Sequence, residues 1–172
     1  MVEVVFQDFA KNKEMYSKIK HSLVNALGEN VPVNHVGSSA IPNMVGKNII
    51  DVLVGAKDDK QFQQFREIIS KEGYFASKNN TNPIYQFFAS KEEETSAGDV
   101  HIHLAIIGTE RYDEFFLLRD YLLQNESEAQ AYACHKKELV KLGVIDRANY
   151  RNTKSQYVSA LIERAKKYFD YK

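Results

Sequence analysis

The stretch HVGSSAIPNMVGKNIIDVLVGA, residues 35–56, decides how this chain folds. It joins two apolar, β-branched runs, 31–36 and 48–56, through a loop of Gly, Ser, Pro and Asn, and this pattern predicts two neighbouring strands. The second run is apolar on both faces apart from Asp51, which is typical of a central strand covered on both sides. A lone carboxylate in such a strand is costly to bury unless it is paired, hydrogen-bonded or bound to a metal.

The rest of the chain alternates helical and strand patterns around this stretch. Apolar residues at three- and four-residue spacing predict helices, and short β-branched or aromatic runs predict further strands. The helices are predicted over 8–27, 58–72, 110–125, 126–142 and 147–170. Two further strands are predicted over 83–90 and 99–107, and we expect them to pair through an acidic, solvent-exposed connection at 91–98. The expected fold class is α/β (α+β): one domain, 1–172, with a small mixed sheet, flanking helices and a C-terminal helical cluster.

The composition excludes several classes of protein. A net charge of zero argues against a nucleic acid or an anionic membrane as the main partner. No run approaches the roughly 18 apolar residues of a membrane span, and the N-terminus lacks the pattern of a signal peptide. The single cysteine, Cys134, allows no intrachain disulfide. We therefore expect a cytoplasmic protein without a membrane partner.

The charges are unevenly distributed along the chain. Residues 91–128 carry ten acidic against three basic residues, and residues 135–172 carry ten basic against four acidic. We expect the two segments to pack near each other and partly neutralise; the alternative is a basic face that attracts an anionic ligand.

A turn beginning Gly37-Ser38-Ser39 follows the first strand of the opening stretch. Backbone N–H groups, two hydroxyls and a residue without a Cβ would allow a phosphate to approach closely. Lys47 is a candidate to bind the same phosphate, as are Arg111 and Arg119. The alternative is an ordinary tight turn with surface charges around it.

The segment Asp99-Val-His101-Ile-His103 places three polar residues on one strand face by alternation. If that face opens toward Asp51, imidazole and carboxylate groups could hold a divalent metal or a phosphate. The alternative is a solvated or hydrogen-bonded strand face.

Four pieces of the chain, taken in order, resemble the GrpB family, sometimes described as the GrpB/dephospho-CoA kinase accessory domain. They are HVGSSAIPNMVGKNIIDVLVGA, VHIHLAI, FLLRDYLLQNESEAQAYACHKKEL and DRANYRNTKSQYVSALI. The resemblance implies a nucleotidyltransferase-like fold, in whose active members carboxylates hold two magnesium ions and a Gly-Ser loop holds the nucleotide's phosphates. On this chain Gly37 and Ser38 match the loop, and Asp51 matches the first carboxylate.

The chain departs from that superfamily pattern at two places. Leu53 stands where the second carboxylate would lie, and the later strand offers His101 and His103 where a third is expected. Magnesium prefers oxygen ligands, so an active two-metal site is hard to build here. The expected cofactor is a divalent metal, magnesium or manganese with zinc ranked lower, held by Asp51, His101 and His103.

Together these observations predict a protein that binds a nucleotide or another phosphorylated small molecule. Gly37, Ser38, Ser39 and Lys47 are the expected ligand-binding residues, and Asp51, His101 and His103 the expected catalytic ones. Whether the site turns over stays open. Two alternatives remain: a non-catalytic accessory domain that binds a protein partner, and metal-assisted hydrolysis.

Overall fold

The opening stretch forms the strand, turn and strand that the sequence predicts. A computed structural model describes residues 4–78, 82–90, 98–141 and 147–171, with only the backbone for 147–151. The helices are α1 (Phe9–Leu27), α2 (Asp59–Lys71), α3 (Glu110–Gln124), α4 (Glu126–Lys141) and α5 (Arg147–Tyr168). The strands are β1 (Val5–Phe6), β2 (Val33–Val36), β3 (Val45–Gly46), β4 (Ile50–Ala56), β5 (Phe75–Ala76), β6 (Tyr85–Ala89) and β7 (Val100–Ile106).

The main sheet has five strands in the order β2-β4-β7-β6-β5. β4 and β7 run parallel, and the other neighbouring pairs are antiparallel. The predicted mixed sheet is therefore confirmed, as are the β2–β4 and β6–β7 pairs. β4 lies inside the sheet and is almost wholly buried, which agrees with its apolar pattern.

Polar side chains fix where three of the helices begin. Asp8, Asp58 and Thr109 each precede a helix in extended conformation and accept a hydrogen bond from the backbone N–H three residues later. This satisfies one of the N–H groups that a helix start leaves without an intrahelical partner.

The two faces of the sheet are covered by different helices. One face contributes alternating residues such as Val52 and Ile102 to a core shared with residues of α1 and α2. The opposite face carries Asp51, His101 and His103 at its edge, and Leu53 packs there with Tyr112 of α3. A separate apolar cluster joins the loop after β2 to α3, α4 and α5. These C-terminal helices therefore cover the face that bears the candidate site.

The uneven charge of the chain is partly neutralised between the C-terminal helices, as predicted. Lys166 on α5 pairs with Glu110 of α3 at 2.6 Å, and Arg164 pairs with Glu128 of α4 at 3.1 Å. Two acidic residues from the first segment thus meet two basic residues from the second.

The structure adds three short strands that the sequence did not predict, β1, β3 and β5. Each has two residues, too few for an alternating pattern to be recognised. The other boundaries differ by one or two residues, which is usual for element ends. The acidic connection predicted at 91–98 lies mostly outside the described residues. Among the described helices, none combines the length and apolar character needed to cross a membrane.

We expect Leu161→Ala to lower the free energy of unfolding by about 2–4 kcal/mol, because Leu161 is fully buried between α5 and its neighbours. Leu123→Ala is the control: Leu123 is 48% exposed on α3, so its loss should change stability by less than about 0.5 kcal/mol. Urea unfolding followed by circular dichroism measures both. Equal midpoints for the two variants would mean that α5 is not docked as described.

Candidate functional site

The register of the parallel pair β4–β7 brings the predicted catalytic residues together. Asp51 lies opposite His101, and Leu53 lies opposite His103. Asp51 Oδ1 is 3.4 Å from His101 Nδ1 and 3.3 Å from His103 Nε2. One carboxylate oxygen therefore faces two imidazoles on the same strand face.

The second contact of His103 indicates which of its nitrogens carries the proton. Its Nδ1 is 2.8 Å from the hydroxyl of Tyr85 on β6. If Nδ1 accepts from this hydroxyl, Nε2 carries the hydrogen and donates to Asp51; the reverse tautomer would point a lone pair at a carboxylate. The favourable arrangement is a chain from Tyr85 through His103 to Asp51.

Different effects dominate the pKa values of Asp51 and His103. Burial alone would raise the pKa of Asp51, but the hydrogen bonds from His101 and His103 outweigh it and hold that pKa well below its usual range. For His103, burial dominates and lowers the pKa despite the neighbouring carboxylate. The group therefore consists of an ionised Asp51 and a neutral His103 near pH 7.

Gly37 is required by the position of Asp51. Its backbone has φ 69° and ψ −166°, a region that residues other than glycine essentially avoid. A Cβ at this position would lie 2.4 Å from Asp51 Oδ2. The turn and the strand carboxylate can approach this closely only because residue 37 has no side chain.

The two serines of the turn have different surroundings. Ser39 is 1% exposed, and its hydroxyl contacts His35 Nε2 at 3.0 Å and accepts from the Asp51 backbone N–H at 3.4 Å. Ser38 instead faces a cavity. Ser39 thus fastens the turn to β2 and β4, whereas Ser38 borders the cavity.

Lys136 of α4 also reaches this turn, and the sequence analysis did not identify it. It is 1% exposed, and its Nζ donates to Ser38 Oγ at 2.9 Å and to the Val45 carbonyl. Burial, helped by repulsion from Lys154, lowers its pKa to about 6. The signal was present: Lys136 continues the buried stripe of α4 formed with Tyr132 and Leu139, where a lysine is unusual.

A cavity of about 180 Å³ lies between the turn, the sheet and the C-terminal helices. Its basic side chains are Arg111, Arg119 and Lys154, and its acidic ones are Asp51 and Glu114. It is also lined by Gly37, Ser38, Ile41, His103, Phe115, Leu118, Leu122, Tyr132, Val158 and Ile162.

The remaining predicted residues lie at the edge of this cavity or beyond it. Arg119 lines it and donates to the His35 carbonyl at 3.1 Å. Arg111 also lines it, with its guanidinium 4.5 Å from the centre of the Tyr85 ring. Lys47, Ser39 and His101 are not among the described residues that line it.

These residues do not fit the two-magnesium centre that the resemblance implies. No group of three His, Cys, Asp or Glu residues within the described part of the chain is arranged to hold a metal ion. Leu53 is fully buried against Val36, Ala105 and Tyr112, so the second acid position is closed by packing. Of the three residues predicted to hold the metal, only Asp51 offers the charged oxygen ligands that magnesium prefers.

A family model, a solved structure and a related protein each match nearly the whole of this chain. The family model described as GrpB protein matches residues 2–164. The structure of conserved protein GrpB from Enterococcus faecalis superposes with a TM-score of 0.82 at 23% identity, covering 97% of this chain and 99% of that one. Glutamate-rich protein GrpB of Alkalihalophilus pseudofirmus is 29% identical over 164 residues, covering 93% of this chain and 94% of that protein.

Two further likenesses concern the fold or part of a longer chain. A structure of Cid1 poly(U) polymerase with MgGTP bound matches with a TM-score of 0.51 and 14% identity, covering 76% of this chain and 42% of that one. The fold is therefore nucleotidyltransferase-like. UPF0157 protein YqkA of Bacillus subtilis is 27% identical over 168 residues, which is 97% of this chain but 48% of that protein. This chain thus spans about half of YqkA.

We expect Gly37→Ala to be more destabilising than Gly73→Ala. Both glycines have positive φ, but a Cβ on Gly73 would meet nothing within 4 Å. Backbone strain alone should cost Gly73→Ala about 1–2 kcal/mol, and the clash with Asp51 should add about 2 kcal/mol for Gly37→Ala. Urea unfolding measures the difference. Equal losses would show that the turn does not press against Asp51.

We expect Leu53→Asp to lower the free energy of unfolding by about 3 kcal/mol or more, because it buries a charge without a partner. Leu53→Met is the matched control and should cost less than about 1.5 kcal/mol. Chemical unfolding at pH 7 compares the two. Wild-type stability of the aspartate variant would mean that this position is open to solvent or a metal.

Proposed function

This chain belongs to the GrpB family, and on that premise we propose that it binds a nucleotide or another phosphorylated small molecule in the cavity beside Gly37 and Ser38. The observation that carries the proposal is a cavity whose lining combines Ser38, with its Oγ accepting from Lys136, with three basic and two acidic side chains. Charged donors and hydroxyls are the groups that bind phosphate oxygens in proteins.

The charges of the cavity favour an anion on one side of it. Arg119 and Lys154 line the cavity together with Ser38, and Lys136 stands directly behind the Ser38 hydroxyl. Asp51 is an anion and repels a phosphate placed against it. We therefore propose that the phosphate contacts Ser38 and Arg119 rather than the neighbouring carboxylate.

The size of the cavity limits how much of a ligand it encloses. At about 180 Å³ it is smaller than the roughly 300–1,000 Å³ of sites that enclose a whole drug-sized ligand. A phosphate group with its nearest atoms fits this volume. The base and sugar of a nucleotide would extend beyond it, so we propose that recognition rests mainly on the phosphorylated end.

Asp51 and His103 are proposed to act on the part of the ligand next to the phosphate. The lowered pKa of Asp51 makes it a persistent anion and a weak base, suited to accept a hydrogen bond from a ligand hydroxyl. His103 is neutral and linked to the Tyr85 hydroxyl, so it is the better candidate to carry a proton. His101 supports Asp51 from the neighbouring position.

The proposal includes no step that depends on a metal. The donor set around Asp51 has one carboxylate and two imidazoles that already contact it, and this set suits magnesium poorly. Binding of the phosphorylated ligand is accordingly assigned to protein side chains and backbone.

Thermal unfolding with a panel of phosphorylated compounds tests the proposal. The panel contains nucleoside mono-, di- and triphosphates, sugar phosphates and their unphosphorylated parents, each with and without magnesium. We expect at least one phosphorylated compound to raise the melting temperature while its parent does not, since ligands that bind only the native state stabilise it. The absence of any shift in a folded preparation would refute the proposal.

Two substitutions locate the binding site, with affinity measured for the best compound of the panel. Ser38→Ala should weaken binding about tenfold, the effect of losing one hydrogen bond to a charged group. Ser70→Ala, on the exposed side of α2, is the control and should leave affinity unchanged. Asp51→Asn should strengthen binding without metal by removing a repulsive charge. A loss of binding in this variant only with magnesium present would instead assign a metal to Asp51.

A further inference from the structure

Lys136 is a charged residue in a place where proteins rarely put one. Its side chain is 1% exposed, and its Nζ is held by two neutral oxygens, Ser38 Oγ and the Val45 carbonyl. The Tyr132 ring lies below it, with 4.3 Å from Nζ to the ring centre. Among the described residues, no carboxylate forms an ion pair with this amine.

A buried ammonium group of this kind lacks a counter-ion. Removing a charge from water is strongly unfavourable unless an opposite charge or a full set of hydrogen bonds replaces the water. Two neutral acceptors and an aromatic face provide only part of that replacement. The position next to Ser38 Oγ, which borders the cavity, is where an anion would complete it.

We propose that Lys136 is the buried cationic partner of the ligand's phosphate, and that it takes up a proton from solvent when the phosphate binds beside Ser38. The inference rests on the proposed function, because it needs an anion in the Gly37–Ser38 cavity. It adds Lys136 of α4 to the residues proposed to bind the phosphate, which so far came from the Gly-Ser loop and the cavity lining. It also makes phosphate binding depend on pH.

Protonation of Lys136 also fixes the direction of the Ser38 hydrogen bond, with Lys136 Nζ as the donor. A neutral amine has a lone pair and can accept from the Ser38 hydroxyl, whereas an ammonium group can only donate. Once Lys136 is protonated, Ser38 Oγ accepts from it and turns its own hydrogen toward the cavity. One proton gained from solvent thus supplies both a charge and a hydroxyl donor for the phosphate.

The groups that face Lys136 from neighbouring elements determine the pH range of this effect. Burial, and then Lys154 of α5, favour the neutral amine, whereas Asp51 of β4 favours the ammonium, and the resulting pKa is about 6. Ser38 and Val45 contribute only neutral oxygens. At pH 7 the free protein therefore holds mostly neutral Lys136, and a bound dianion raises its pKa.

Calorimetric titration with sulfate tests the inference, because sulfate resembles phosphate but keeps its charge between pH 5 and 9. Titrations of the wild type at pH 7 in two buffers with different ionisation enthalpies give the number of protons taken up. We expect close to one proton per sulfate, roughly 0.8–0.9. Uptake should fall toward zero near pH 5, where Lys136 is already charged. Between pH 7 and 8 the apparent Kd should rise close to tenfold.

Variants assign the proton to Lys136. Lys136→Gln keeps an N–H for the Val45 carbonyl but cannot gain charge, so it should bind sulfate at least about tenfold more weakly at pH 6 and show no uptake. Lys136→Arg stays charged at all these pH values and should bind sulfate without uptake. Lys137→Met is the control, because Lys137 lies over the Phe6 ring and should leave uptake intact.

The outcomes separate this inference from the proposed function. Wild-type protein that binds sulfate without proton uptake at pH 7, or a folded Lys136→Gln variant that retains uptake, would overturn the role of Lys136 and leave the anion site standing. Failure of the wild type to bind sulfate or any compound of the phosphorylated panel would overturn both. Circular dichroism of each variant establishes that it is folded before titration.

Discussion

Asp51 places an ionised carboxylate on the face of an internal strand, and the residues around it are constrained by that charge. The turn after β2 passes so close to the carboxylate that residue 37 must be glycine. On the other side, the parallel register of β7 brings two imidazoles to the same carboxylate oxygen. Ser39 then ties the turn to the Asp51 backbone. The turn, two strands and the histidines therefore form one hydrogen-bonded unit. A change at any of them alters the contacts of the Asp51 carboxylate.

The C-terminal helices convert this unit into a cavity. α3 seals the sheet face beyond Asp51 by packing Tyr112 against Leu53, which removes the position of a second acid. α5 adds Lys154 and apolar side chains to the wall, and α4 sends Lys136 to Ser38 across 98 residues of sequence. The same group of helices thus buries Leu53 and brings basic side chains to the turn.

The sequence predicted the central strand, its neighbours and the main helices because those elements have long, regular apolar patterns. It also indicated that Asp51, His101 and His103 could share a site, since alternation along a strand is a local property. Lys136 could not be placed in the same way, because its contact with Ser38 depends on how α4 docks on the turn. Likewise, adjacent serines in one Gly-Ser-Ser turn look equivalent in the sequence. Only the paths of β2 and β4 decide that Ser39 is buried and Ser38 faces the cavity.

Phosphoryl transfer and phosphate binding both require positive charge near the phosphate oxygens, and in two-metal enzymes that charge comes from metal ions held by the protein. Here the described strands of the sheet contain a single acid, Asp51, and its carboxylate already contacts two histidines. On the proposed function, the positive charge comes instead from Arg119, Lys154 and a lysine that becomes charged when the ligand arrives. A cation fixed on the protein neutralises a phosphate but does not bring a coordinated water or a Lewis acid to it. The geometry therefore supports recognition of a phosphorylated ligand more directly than it supports magnesium-dependent transfer.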